Sequence, residues 1–161
     1  MDAESSGGVS DDDPTAGGGV ADPTDPSVRE LRAILGDAHT IAVVGLSSDP
    51  MRESHDIAAY LQEKGYRIIP VNPTENEVLG EKAYPTLKDV PEPIDVVDVF
   101  RRAEHTPEVA REAVEVGAKV LWLQSGIVND EAYRAASDAG LDVIMGVCIR
   151  TARERVEREA S

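Results

Sequence analysis

The chain has 161 residues, enough for one domain of ordinary size with a tail. Its 31 acidic residues against 16 basic ones give a formal net charge of −15, a balance that argues against nonspecific nucleic-acid binding, which needs basic patches. A lone cysteine, Cys148, excludes an intramolecular disulfide and suits a reducing compartment such as the cytoplasm, and no apolar run approaches the ~20 residues of a membrane-spanning helix.

Lysine is scarce (Lys64, Lys82, Lys88 and Lys119), so most cations are arginine. The acid is spread along the whole chain, which favours a halophilic, carboxylate-rich surface over an ordinary domain with an acidic tail. Residues 1–27 are Asp, Gly, Ser, Thr and Pro with almost nothing to bury. They are expected to be disordered, with residues 28–161 forming the folded domain.

Ser27 with Glu30 three residues later reads as a capping box. It opens a short helix whose stripe is Val28, Leu31, Ile34 and Leu35, ended by Gly36. From Thr40 onward strand and helix alternate. Ile41 to Leu46 is a short apolar run, read as a buried parallel strand. Ile57, Ala58, Tyr60 and Leu61 recur at helical spacing, with Lys64-Gly65 as the stop. Residues 66–71 form a second strand, ending at Asn72-Pro73. Residues 77–87 are a connector with Val78-Leu79-Gly80 as turn or short-strand material. Ile94 to Phe100 is a third strand with Asp95 and Asp98 interspersed. His105 to Val116 is a helix, Lys119 to Leu123 a fourth strand, and Asn129 caps a helix through Ala139. Leu141 to Met145 is a fifth strand, and Thr151 to Glu159 a charged final helix.

This alternation predicts an α/β, Rossmann-like, doubly wound and mainly parallel five-stranded sheet with helices on both faces. Ligands of such sheets bind beyond the carboxyl ends of the strands. The loops that matter are then 45–52, 72–76, 101–105, 124–128 and 146–150. The turn after the first strand points free backbone N–H groups and the positive end of a helix dipole at one spot, which suits a phosphate. It departs from the dinucleotide fingerprint Gly-x-Gly-x-x-Gly, because Ser47 and Pro50 stand where the later glycines belong. The second strand ends in Asn72 where an NAD site wants Asp or Glu. For Gly45 and Ser47 two readings stand side by side, a phosphate turn and a plain strand–helix connection.

Five motifs in order, Val44-Gly45-x-Ser47-x-x-Pro50-x-Arg52-x-Ser54, Pro70-Val71-Asn72-Pro73, Asp95 to Arg102, Trp122-Leu123-Gln124-x-Gly126-Ile127 and Cys148-Ile149-Arg150, resemble the stand-alone CoA-binding domain family. That family is related to the CoA-binding domain of the succinyl-CoA synthetase alpha subunit, and the resemblance runs from about Leu31 to Arg155. It implies a Rossmann-like fold and coenzyme A as ligand. Coenzyme A carries a pyrophosphate and a 3′-phosphate, so it needs donors and cations. The first loop (Gly45, Leu46, Ser47, Ser48 and Pro50) is expected to hold the pyrophosphate, with Arg52 adding a charge-assisted contact. Asn72 and Pro73 are expected to shape the adenosine side. Phe100 and Arg101 form the best cationic corner, since arginine can fork onto phosphate. Gln124 and Gly126 are expected to face the pantetheine arm. Trp122 reads as core.

The last motif departs from the family. Gly146-Val147 stands where the family has Asp-Arg, and Ala152-Arg153 where it has Glu-His. Cys148 reads as a small buried hydrophobe rather than a thiol for a mixed disulfide with the ligand. No residues suggest a metal site or a nucleophile with its base, so no catalytic residue is assigned. The expected function is binding of coenzyme A or an acyl-CoA without its own catalysis, with no nucleic-acid or membrane partner. The alternatives are the CoA-binding subunit of a separately encoded, ADP-forming acyl-CoA synthetase and an NAD(P)-binding regulatory protein; the partners expected are a synthetase subunit or further copies of the chain.

Overall fold

The computed structural model describes residues 19–160. Helix α1 spans Val28–Asp37, with Ser27 and Glu30 making the reciprocal capping box. Strand β1 (Thr40–Val44) leads to α2 (Glu53–Glu63) and β2 (Arg67–Val71). A small antiparallel hairpin, β3 (Glu77–Val78) and β4 (Glu81–Lys82), occupies the connector. Then come β5 (Val96–Val99), a 3-10 turn at Ala103–His105, α3 (Thr106–Glu115), β6 (Val120–Leu123), α4 (Asp130–Asp138), β7 (Asp142–Ile144) and α5 (Ile149–Ala160). The final helix begins two residues earlier than its charge pattern predicts, for a reason given below.

The main sheet has the order β2-β1-β5-β6-β7, and every pair is parallel. This is the α/β, Rossmann-like architecture expected from the alternation. The strands feed two apolar layers by turns. Ile41, Val43, Ile68, Val96, Val120, Trp122 and Ile144 pack under α1, α2 and α5 with Leu31, Ile57, Leu61 and Ile149. Ala42, Val44, Ile69, Val97, Leu121 and Val143 pack under α3 and α4 with Val109, Ala113, Ala132 and Ala136. Each fully buried Leu, Ile or Val contributes about 1.5–3 kcal/mol relative to its exposed state, so the layers hold the sheet and the loops at its carboxyl edge inherit that rigidity. Pro70, which has no N–H, lies in the edge strand β2, where a missing donor is tolerated.

The switch point lies between β1 and β5. The chain leaves β1 toward β2 on one side, while β5 sits on the other. The helices that follow, α2 and α3, pack on opposite faces of the sheet. Their starts therefore diverge beyond the strand ends, which is where ligands of such sheets bind.

Residues 1–18 of the segment expected to be disordered lie outside the described residues. Residues 19–27 depart from that expectation by making specific contacts. The Pro23 carbonyl accepts from Met145 N–H at 2.8 Å, Ala21 N–H donates to Glu30, and Pro26 is buried. Among the described residues no helix is long and apolar enough to cross a membrane.

Candidate functional site

Gly45 is the hinge of the site. Its φ is +90°, a conformation that only glycine adopts without strain. Its N–H donates to the Val71 carbonyl at 2.8 Å, and Phe100 N–H donates to the Val44 carbonyl at 2.9 Å. A Cβ placed on Gly45 would lie 2.5 Å from the Phe100 carbonyl oxygen and 3.3 Å from the Arg101 Cδ. The absence of a side chain thus brings the turns after β1 and β5 into contact. Gly45, Phe100 and Arg101, each predicted as a site residue, meet at the switch point.

The remaining predicted residues divide by what their atoms already do. Leu46 is fully buried and serves the core, while its carbonyl accepts from Asn72 Nδ2 at 3.1 Å. Asn72 Oδ1 accepts from both Thr74 N–H and Thr74 Oγ1–H. The Asn72 amide is therefore spent on fastening the β2 loop to the β1 loop. Gln124 is buried, and its Oε1 accepts from Ile149 N–H at 3.0 Å. That bond starts α5 at Ile149, ahead of the predicted Thr151. Gly126 has φ +79° with open space where a Cβ would go, so the turn alone accounts for it and no close approach is required. Trp122 is core and donates its indole N–H to the Val147 carbonyl at 2.8 Å. Arg150 lies over the Tyr60 ring at 4.7 Å and pairs with Asp56, fastening α5 to α2. Pro50, Arg52 and Pro73 are exposed at the loop tips.

The expectation of free N–H groups in the first loop is corrected by the loop itself. Ser47 N–H donates to Ser54 Oγ, Asp49 N–H to Ser47 Oγ and Met51 N–H to Asp49 Oδ1. Arg52 N–H donates to the Asp49 carbonyl. Ser48 N–H donates to Glu75 Oε2 at 2.8 Å. A loop of Ser and Asp satisfies its own backbone in this way. Donors stay open one step further on. Arg52 stands at the N-cap of α2 without any side-chain cap hydrogen bond, whereas the start of α3 is closed by the 3-10 turn before it, where Thr106 N–H donates to the Ala103 carbonyl, and by Pro107, which has no N–H. An uncapped helix start attracts an anion.

Charge follows the same geometry. Among the described residues Arg52, Arg101 and Arg102 carry no carboxylate ion pair, whereas Lys64, Arg67, Lys119 and Arg150 each do. In so acidic a chain this leaves a cationic spot at the switch point. Beneath it, Asp98 on β5 lies in register between Val43 and Trp122, fully buried, with no hydrogen-bond partner for either oxygen. Burial pushes its carboxyl well above the usual carboxylate range. Asp95, three residues earlier, is opposite in character. Burial raises its pKa, but the Thr40 and His39 N–H groups and Lys119 outweigh that and hold it low. The sequence does not single out Glu75, and it carries Ser54 and Asp98 inside the motifs without a role for either. For Asp98 a signal existed, since it stands in phase with Val96 and Phe100 on a strand buried on both faces.

Comparison with known proteins agrees with this geometry. Residues 39–154 match the family model described as a CoA binding domain. The chain is 50% identical over 127 residues to the uncharacterized protein YneT of Bacillus subtilis, covering 79% of this chain and 94% of that protein. It is 29% identical over 117 residues to the acetate–CoA ligase [ADP-forming] II of Archaeoglobus fulgidus, 71% of this chain but only 17% of the ligase. A solved structure of a hypothetical protein from Pyrococcus horikoshii superposes with a TM-score of 0.80 at 40% identity, over 81% of this chain and 92% of that one. With the match spanning the sheet and every loop at its carboxyl edge, the chain belongs to the CoA-binding domain family.

Proposed function

We propose that this protein binds coenzyme A or an acyl-CoA in the crevice between the β1–α2 and β5–α3 turns. One observation carries the reading: Arg101 lies against Gly45 with no carboxylate to neutralise it, beside a helix start that no side chain caps. A ligand bearing several phosphates matches that combination. In this reading the pyrophosphate sits at the α2 start with Arg52 and Arg101. The adenosine lies toward Asn72 and Pro73, which the Asn72 bonds hold rigid. The pantetheine arm runs toward Gln124 and Gly126, where Gln124 keeps its amide nitrogen as a donor.

Calorimetric titration with coenzyme A, acetyl-CoA, NADH and ATP in molar potassium chloride tests it. Saturable uptake of the CoA compounds alone is expected. Preference for NADH would return the site to a nicotinamide nucleotide, and no uptake of any would remove the reading.

A second reading has its own support in the similarity to the ADP-forming ligase. The chain would supply the CoA site to a separately encoded synthetase partner. Affinity purification from the native cell, followed by an acyl-CoA synthetase assay on the eluate, decides it: co-elution of a nucleotide-grasp protein is expected if the reading holds, and the chain alone if it does not.

A further inference from the structure

Each N–H from Ser47 to Met51 has a partner, and only that of Ser48 is held by a charge from another loop. Glu75 Oε2 accepts it at 2.8 Å. The carboxylate is delivered by a turn that is itself fixed: Glu75 N–H donates to the Asn72 carbonyl, and Asn72 Nδ2 donates to the Leu46 carbonyl. A carboxylate oxygen on a loop amide stands where a phosphate oxygen would stand. It keeps the amide satisfied, and it places a negative charge beside the Arg52 and Arg101 guanidinium groups, adding to the carboxylates of Asp49 and Glu53 already in that loop and helix turn. Two anions cannot share one N–H, and like charges at that distance repel.

We propose that Glu75 is an internal anion which covers the Ser48 amide and must be displaced by the ligand's phosphate, so that this side chain sets which anions enter the site. The inference rests on the coenzyme A reading above. Glu75 is half-buried in a turn whose neighbours Pro73, Thr74 and Asn76 are exposed, and it belongs to neither core layer, so its side chain can swing into solvent without disturbing them. Weakly held anions fail to displace it. A pyrophosphate gains the Ser48 N–H, the α2 start and the guanidinium groups together, and succeeds.

Glu75→Gln keeps an acceptor for Ser48 but removes the charge, and Glu75→Ala removes both. Each variant and the natural protein are titrated with coenzyme A and with pantetheine, which has no phosphate, after thermal unfolding shows that all three are folded alike. Both variants are expected to bind coenzyme A about tenfold more tightly, the scale of losing one charged competitor for one amide, with pantetheine affinity unchanged. Uptake of coenzyme A by the variants but not by the natural protein would support the same conclusion. Equal or weaker binding of coenzyme A by the variants overturns the inference and leaves the coenzyme A reading standing. So does equal tightening for pantetheine, which would mark a general loosening of the loop. If none of the three proteins takes up coenzyme A, that reading falls and this inference with it.

Discussion

Helix starts in this molecule are of two kinds. At α1 and α4 a side chain closes the first turn: Ser27 accepts from Glu30 N–H, and Asn129 accepts from Ala132 N–H. At α5 the distant Gln124 does the same for Ile149. At α2 and α3, which follow the two strands flanking the switch point, no side chain does. Capping is worth about 1 kcal/mol and costs a protein one polar residue; at α3 the preceding 3-10 turn takes its place, while its omission at α2 leaves a positive helix end at the carboxyl edge of the sheet. The sheet shows the same division. At one level of the strands β6 carries Trp122, and its neighbour β5 carries the unpartnered Asp98. Stability is built in at the β6 side and withheld at β1 and β5.

The contrast can be broken most forcefully at its hinge. Gly45→Ala combines a positive φ with a collision against the Phe100 carbonyl and is expected to destabilise by about 3 kcal/mol or more. Gly126→Ala, strained but unobstructed, should cost about 1 kcal/mol. Denaturant titration of the pair compares a site glycine with a turn glycine, and equal losses would show that the two turns do not press together. Next, Arg101→Ala should weaken coenzyme A by about 1–3 kcal/mol while melting like the natural protein. An unchanged affinity would place the phosphates elsewhere.

Asp98 sharpens the comparison through pH. A carboxyl whose folded pKa lies above its unfolded value subtracts stability once the pH exceeds the unfolded value near 3.8. The loss grows by about 1.4 kcal/mol per pH unit until the folded group ionises as well. The difference in stability between Asp98→Asn and the natural protein should therefore widen in favour of the variant as pH rises from about 4. A difference independent of pH would mean that Asp98 is ionised in the fold. Smallest is the cap itself. Asn129→Ala should cost about 1 kcal/mol of stability, whereas Arg52→Ala, at the equivalent position of α2, should change stability by less than about 0.5 kcal/mol and register only in ligand affinity. If both changes cost the same stability, the two helix starts are not different in kind.

Much of the architecture was legible because it rests on near neighbours in sequence. The Ser27–Glu30 box, the Asn129 cap and the apolar run that begins at Ile41 are local signals, and the structure contains each of them. Gly45 was legible as a turn, but the partner that makes it obligatory, the Phe100 carbonyl, lies 55 residues further along. Separations of 25 and 26 residues hid the work of Gln124 and Asn72. Gln124 Oε1 is tied to Ile149, and the Asn72 amide to Leu46 and Thr74. Side-chain bonds to remote backbone leave no periodic trace. Composition misled at residues 19–27, where a polar, proline-containing segment still finds partners in Met145 and Glu30.

The Pro23–Met145 bond has a consequence for assembly. Next to it, β7 is the outermost strand on its side of the sheet, and an outermost strand offers its spare backbone groups to any other extended chain, including another copy of itself. With Pro23 laid over the end of that strand, one such opening is shut by a residue that has no N–H to offer in turn. A segment that looks dispensable thus serves as a selvage at that corner of the woven edge.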